Sequence, residues 1–284
     1  MMISCGVFFF IIKGIEAKVG PEYKQEDRQM RRLNRIFQQD RKTVIVAMDH
    51  GMGLPVNPTL DDTGAVIRAI VKGGADAILT TYGVAKRFAD ELKNVALILR
   101  VDGGGSALGA DECPDLMYTM EDALRVGADA VAAMGFPGTP YEHRNLTNLA
   151  TLCRQGDAWG MPVVAETLPG GFSSAVEKSV ANLTLAARYG CECGASIIKT
   201  AYNGTPEEFK RVIDASFVPV VVLGGEKANS LTSLFTCIED ALSVGAAGVA
   251  IGRNVWKHKD PEAVTRALVD LVHNGKKACE LPTL

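Results

Sequence analysis

The chain has 284 residues and carries 30 Lys and Arg against 33 Asp and Glu, a formal net charge of −3, which is long enough to bury a sizeable single core. Nearly balanced charge without a long basic block argues against nucleic acid or an anionic membrane as the main partner and leaves a small molecule as the expected one. Seven cysteines in no regular framework suit a reducing compartment, and the isolated pair Cys191 and Cys193 has no second Cys/His pair close in sequence, so neither a disulfide scaffold nor a metal or cofactor site is expected.

The first twelve residues, MMISCGVFFFII, are apolar but lack a basic lead and a small-residue cleavage site. They are also shorter than the roughly 20 residues that span a bilayer. Residues 1–20 therefore read as an extension, and 21–284 as one domain of a cytoplasmic protein. A charged, helical lead runs from about Pro21 to Gln39.

Eight β-branched or apolar runs follow: Thr43 to Asp49, Asp76 to Thr81, Val95 to Asp102, Asp129 to Met134, Met161 to Thr167, Ala195 to Thr200, Val218 to Gly224 and Gly248 to Arg253. Stretches of helical period separate them, such as Asp61-Thr63-Val66-Ile67-Ile70 and Val176-Val180-Leu183-Thr184-Ala187. A weak repeat places Gly74-Ala75-Asp76, Gly127-Ala128-Asp129, Gly194-Ala195-Ser196 and Gly245-Ala246-Ala247 before the second, fourth, sixth and eighth runs. Each glycine suits a left-handed helix cap that leads straight into a strand. Apolar strands alternating with helices imply a parallel sheet, and eight units close into an α/β (β/α)8 TIM barrel. The alternative, an open doubly wound sheet, usually shows G-x-G-x-x-G after the first strand, where this chain has Asp49-His50-Gly51.

In such a barrel the active site lies at the carboxyl ends of the strands. Those ends carry Asp49 and His50, Arg100 and Asp102, Glu166, and Lys199. A lysine closing a buried strand either meets a carboxylate or stands ready as an amine nucleophile, the state that Schiff-base chemistry requires. Glu166 and Lys199 end neighbouring strands. After the seventh and eighth runs, Gly224, Gly225 and Lys227, then Gly252 and Arg253, offer bare amides and cations suited to a phosphate. Structural roles compete with each of these: Lys199 as an ion-pair partner of Glu166 or Asp49, His50 as a rim hydrogen-bonder, Asp102 as part of a tight turn, and Tyr202 as a packed lid residue.

Four segments, Met48-Asp49-His50-Gly51, Ile198-Lys199-Thr200-Ala201-Tyr202, Gly224-Gly225-Glu226-Lys227 and Gly252-Arg253-Asn254-Val255-Trp256, together resemble the class I aldolases of the archaeal fructose-bisphosphate aldolase type, in the DeoC/FbaB/LacD superfamily. The resemblance runs from about Met30 to Asn274. It implies that Lys199 is the Schiff-base lysine, that Asp49 is a catalytic carboxylate beside it, and that Gly224, Gly225, Gly252 and Arg253 cradle a phosphate. The family's sugar-bisphosphate aldolases carry an acid/base tyrosine before Pro-Arg-Gly, whereas this chain reads Glu166-Thr167-Leu168-Pro169-Gly170. A branch without that tyrosine, the thiolase or aldolase of the phosphorylated autoinducer-2 signal, is similar at Arg31 to Phe37, Arg100 to Ser106, Met120 to Leu124, Tyr141 to His143 and Ile198 to Thr200.

The resulting expectation is a lyase that cleaves or forms a C–C bond of a phosphorylated ketose through a Lys199 iminium. Asp49 or Glu166 serves as acid/base, and His50, Arg100, Tyr202, Lys227 and the cradle bind the substrate. The alternatives are a thiolase acting on a phosphorylated dione, a metal-dependent aldolase, for which the four histidines are poorly placed, and a sugar-phosphate-binding barrel without catalysis. A homo-oligomer is expected.

Overall fold

The computed structural model describes residues 25–51, 57–103, 105, 106, 108, 109, 113–173, 175–224 and 230–284. The expected extension and two expected phosphate contacts, Gly225 and Lys227, lie outside them. A lead helix α1 (Gln25–Ile36) precedes ten strands: β1 Thr43–Ala47, β2 Ala77–Thr80, β3 Ala96–Arg100, β4 Asp102–Gly103, β5 Asp115–Leu116, β6 Ala130–Gly135, β7 Val163–Thr167, β8 Ile197–Ala201, β9 Val220–Leu223 and β10 Gly248–Ile251. The helices that follow α1 are α2 Thr63–Gly73, α3 Tyr82–Arg87, α4 Ala89–Leu92, α5 Met120–Arg125, α6 Glu142–Trp159, α7 Val180–Glu192, α8 Pro206–Ala215, α9 Leu231–Ser243, α10 Arg253–Trp256 and α11 Pro261–Val272.

Eight of the strands close a parallel barrel in the order β1-β10-β9-β8-β7-β6-β3-β2. Each of the eight expected runs overlaps a barrel strand, so the fold is the (β/α)8 barrel and not the open sheet. The antiparallel pair β4 and β5 in the third βα loop is additional. Two-residue strands are too short to show a period-2 pattern, and Asp102 follows the third strand closely enough to read as its end.

Parity along the strands divides the core in two. Ile45, Ala47, Ala77, Leu79, Ala96, Ile98, Ala130, Ala132, Val164, Ile197, Val221 and Ala250 form an interior cluster with Ile36 of α1, while residues of the opposite parity pack in a second cluster with the outer helices. Successive side chains of a strand face opposite sides, so this assigns every second residue to the lumen. Ile36 is fully buried in the interior cluster, and Leu33 and Phe37 pack against it. The lead helix thereby stoppers one end of the barrel, and burying a side chain of that size contributes roughly 1.5–3 kcal/mol. Arg32 donates to Ala128 O at 2.8 Å and Arg35 pairs with Asp129 at 3.0 Å, so the stopper sits at the amino-terminal ends of the strands.

The glycine repeat has a structural purpose. Gly74, Gly127, Gly194 and Gly245 have φ of 96°, 73°, 95° and 109°, the left-handed region that glycine enters without a Cβ penalty. Two residues later Asp76, Asp129 and Ser196 accept from the backbone N–H of Val44, Leu97 and Val163, tying each even-numbered unit to the strand before it. Ala247, in the fourth copy, has no such acceptor and ties the strands through its backbone, donating to Val220 O at 2.7 Å.

Candidate active site

At the carboxyl end of the barrel the inward parity continues into charge. Asp49 follows Ile45 and Ala47, Arg100 follows Ala96 and Ile98, Glu166 follows Val164, and Lys199 follows Ile197. Asp102, two residues beyond Arg100, shares that parity. The β1 strand stops at Ala47, and a single 3-10 turn, Asp49–Gly51, swings Asp49 over the mouth. Glu166 and Lys199 are register partners on β7 and β8, as their expected neighbouring positions require.

Arg100 is the hub. Its Nε donates to Asp49 Oδ2 at 2.8 Å, Nη1 to Asp102 Oδ1 at 3.2 Å, and Nη2 to Glu166 Oε2. The other Glu166 oxygen, Oε1, lies 2.9 Å from Lys199 Nζ, and Asp102 Oδ2 accepts from Met134 N at 2.6 Å. Arg100, Asp102, Glu166 and Lys199 are each only 4–5% exposed. Three carboxylates and two cations give this cluster a formal charge of −1.

Electrostatics follow from the packing. Burial alone would raise the Asp49 pKa, but its neighbours, foremost the charges of Arg100 and then Lys199, outweigh it and hold the group at about 2. Burial of Glu166 is likewise overcome, chiefly by Lys199 and then by Arg100, and its pKa falls. For Asp102 burial wins, and Arg100 and the Met134 N–H offset it only in part, so its pKa rises. Burial lowers the His50 pKa despite Asp49, favouring neutral imidazole, and its Nδ1 stands 3.5 Å from Asp49 Oδ1.

The adjoining rim is made by the β9 and β10 ends. A Cβ on Gly252 would lie 2.5 Å from His50 Cε1 and 2.8 Å from Ala47 O, so close approach requires glycine there. Asn254 Nδ2 donates to Gly224 O at 3.2 Å, stapling the two loops, and Arg253 opens α10, near enough to His50 for its charge to bear on that ring. The structure thus brings together Asp49, His50, Arg100, Glu166 and Lys199, with Gly224, Gly252 and Arg253 on the adjoining rim.

One expectation needs correction. Tyr202 was expected to contact substrate, but its ring stacks edge-on against Phe209 at 4.9 Å and its hydroxyl lies beside Asp240 and Cys237 on α9, with burial foremost in raising its pKa to about 12. The physical reason is parity: Tyr202 is three residues past Lys199 and faces the helices. Arg100 spends one N–H of each of its three nitrogens on a carboxylate, and a second N–H remains on Nη1 and on Nη2. Asp102, placed among the strand-end candidates with a tight turn as its competing role, is a member of the cluster, as its shared parity with Arg100 indicates.

Residues 43–258 match the model of the DeoC/LacD family aldolases. The chain belongs to this family. It is 39% identical over 244 residues to a 2-amino-3,7-dideoxy-D-threo-hept-6-ulosonate synthase of Halobacterium salinarum, covering 86% of this chain and 91% of the relative. It is 34% identical over 254 residues to a 3-hydroxy-5-phosphonooxypentane-2,4-dione thiolase of Photorhabdus laumondii, covering 88% and 85%. Among solved structures it resembles an archaeal fructose-1,6-bisphosphate aldolase whose catalytic Lys is covalently bound to the carbinolamine intermediate, with TM-score 0.78, 29% identity, and coverage of 86% and 99%. As a member of this aldolase family the chain is a lyase of the Schiff-base-forming type. Among its described residues no helix is long and apolar enough to cross a membrane.

Proposed function

We propose that this barrel cleaves or forms a C–C bond of a phosphorylated ketose, with Lys199 as the nucleophile and Glu166 as its acid/base partner. The observation that carries the reading is the buried 2.9 Å contact between Lys199 Nζ and Glu166 Oε1 at the barrel mouth. Attack needs the free amine, and Glu166 stands where it can accept the ammonium proton. The amine adds to the ketone carbon, and loss of water from the carbinolamine leaves an iminium.

A base then takes the C4 hydroxyl proton while the C3–C4 bonding pair moves toward the iminium, releasing an aldehyde and leaving an enamine. Protonation at C3 and addition of water free the second product and Lys199. Glu166 is assigned the C4 hydroxyl proton, because Leu168, 2% exposed, stands where the bisphosphate aldolases have tyrosine and carries no exchangeable proton. Asp49 is assigned the protons of carbinolamine dehydration. Gly224, Gly252 and Arg253, with Gly225 and Lys227, are assigned the phosphate, His50 the substrate hydroxyls, and a cytoplasmic homo-oligomer is the proposed setting.

The missing tyrosine also favours a second reading, a thiolase acting on a phosphorylated dione, in keeping with the Photorhabdus relative. The test of the first reading is a cleavage assay coupled to borohydride treatment. Borohydride should inactivate only when a ketose phosphate is present, and a chelator should have no effect. Chelator inactivation together with indifference to borohydride would overturn the Schiff-base reading, and acyl transfer without aldol cleavage would select the thiolase.

A further inference from the structure

Strand β3 ends at Arg100, while its neighbour in the wall, β6, runs on to Gly135. Beyond the last register pair of the two strands, Arg100 with Ala132, the Met134 N–H takes the carboxylate of Asp102 as its acceptor at 2.6 Å. The backbone around Asp102 is held as well. Val101 N donates to Ala132 O at 3.1 Å, Val101 O accepts from Met117 N at 2.8 Å and from Tyr118 N at 3.1 Å, and Asp102 pairs with Leu116 in the β4–β5 ladder. The carboxylate is thus a fixed point, and its Oδ1 stands 3.2 Å from Arg100 Nη1.

A guanidinium is planar and presents its donors in a fixed fork. With Nε on Asp49, Nη1 on Asp102 and Nη2 on Glu166, the first two contacts set the plane of Arg100 and thereby the place of Nη2. Nη2 holds Glu166 Oε2, which leaves Oε1 facing Lys199 Nζ at 2.9 Å. Met134 and Glu166 are register partners on β6 and β7, so one stretch of wall carries both the support of Asp102 and the acid/base carboxylate. Burial outweighs the partners of Asp102 and raises its pKa, so by linkage the ionised group lowers the stability of the fold at neutral pH. Stability alone does not account for a carboxylate in this place.

We propose that Asp102 is a positioning residue, which holds the Arg100 fork so that Glu166 faces Lys199 in the orientation that proton transfer needs. It acts through Arg100 and Glu166, and so rests on the assignment of Glu166 as acid/base made above. Without Asp102, Arg100 keeps only Asp49 to brace it against Glu166, and the fork can turn about that contact and carry Glu166 with it. A misplacement of about 1 Å in a catalytic site can lower the rate about 100-fold. Asparagine is not an equivalent support, because its amide turns an NH2 toward one of the two donors that the carboxylate serves, Arg100 Nη1 and Met134 N.

The test is a double-mutant cycle on the full chain, read as cleavage of fructose 1-phosphate. Asp102→Asn should lower kcat by at least about tenfold and leave KM within about twofold of the native value. In the Glu166→Gln background the same replacement should change kcat by less than about twofold, because the group it positions is already gone. A residue that only supports the fold lowers kcat by the same factor in both backgrounds. Asp102→Glu, which keeps the charge and moves it by one methylene, carries the same cycle should the amide variant fail to fold. Equal losses in both backgrounds, or no loss in the first, overturn the positioning role and leave the aldolase reading standing. Native kcat in Glu166→Gln overturns the assignment of Glu166 and this role with it, and a native chain that does not cleave the probe overturns the ketose-phosphate reading together with both.

Discussion

Replacing Arg100 with methionine removes the cation that holds three buried carboxylates, and the structure allows the cost to be worked out. Asp49 is held at about 2 against an ordinary 3.8, a difference worth roughly 2 kcal/mol of stability at neutral pH. Glu166 is lowered as well, and breaking a buried ion pair by deleting one partner costs about 3–5 kcal/mol. We expect a loss in that range in urea denaturation at pH 7.

The pH dependence is more diagnostic than the size. In the native chain the lowered Asp49 and Glu166 contribute stability that is present above the unfolded values, about 3.9 and 4.3, and is lost as pH falls through the folded values. In Arg100→Met burial remains while the largest compensating charge is gone and Lys199 is left, so the Asp49 pKa should rise from its native position. The slope of stability against pH on the acid side should therefore sit at higher pH than in the native chain. A variant with the native slope and a loss under about 1 kcal/mol would refute the account of Arg100 as the hub.

Glu166→Gln should lower kcat by about 100-fold or more, within the range of general acid–base catalysis, while borohydride trapping of the iminium survives; unchanged kcat would move the proton carrier elsewhere. Arg253→Ala should raise KM strongly for phosphorylated ketoses and hardly at all for dephosphorylated analogues, reflecting a charge-assisted contact worth about 1.5–3 kcal/mol, and equal effects on both would make Arg253 structural. At the stoppered end, His273 Nδ1 lies 2.8 Å from Asp40 Oδ2 and Nε2 lies 2.9 Å from Asp76 Oδ2, a geometry that calls for imidazolium. Its pKa is raised, chiefly by the Asp76 hydrogen bond, so its stabilisation is full below about 6.5 and lost as pH rises through the folded value. His273→Gln should remove this component of the pH–stability curve.

The barrel was legible because eight apolar runs alternate with helical stretches, and because the glycine repeat announces where helices stop. The convergence of Asp49, Arg100, Glu166 and Lys199 was legible because each ends a strand. What strand-end position alone did not reveal was direction. Tyr202 and Lys199 sit on one short segment, yet the odd offset between them sends one toward α9 and the other into the lumen. Arg100 and Asp102 are separated by an even offset, so both face inward and the guanidinium donates to its own neighbour. The choice between a site role and a tight turn for Asp102 stayed open because glycines follow it, while the tertiary contact that defines its role comes from Met134 on β6, 32 residues away. The β4–β5 pair escaped because two residues carry no period.

The central claim is that Lys199 forms the covalent intermediate. Peptide mapping by mass spectrometry after borohydride reduction in the presence of a ketose phosphate should place the mass of the reduced substrate on Lys199, and Lys199→Arg, whose guanidinium stays protonated, should remain folded, show no turnover and acquire no label. Label on another lysine, or a Lys199→Arg enzyme that still turns over substrate, would contradict the account.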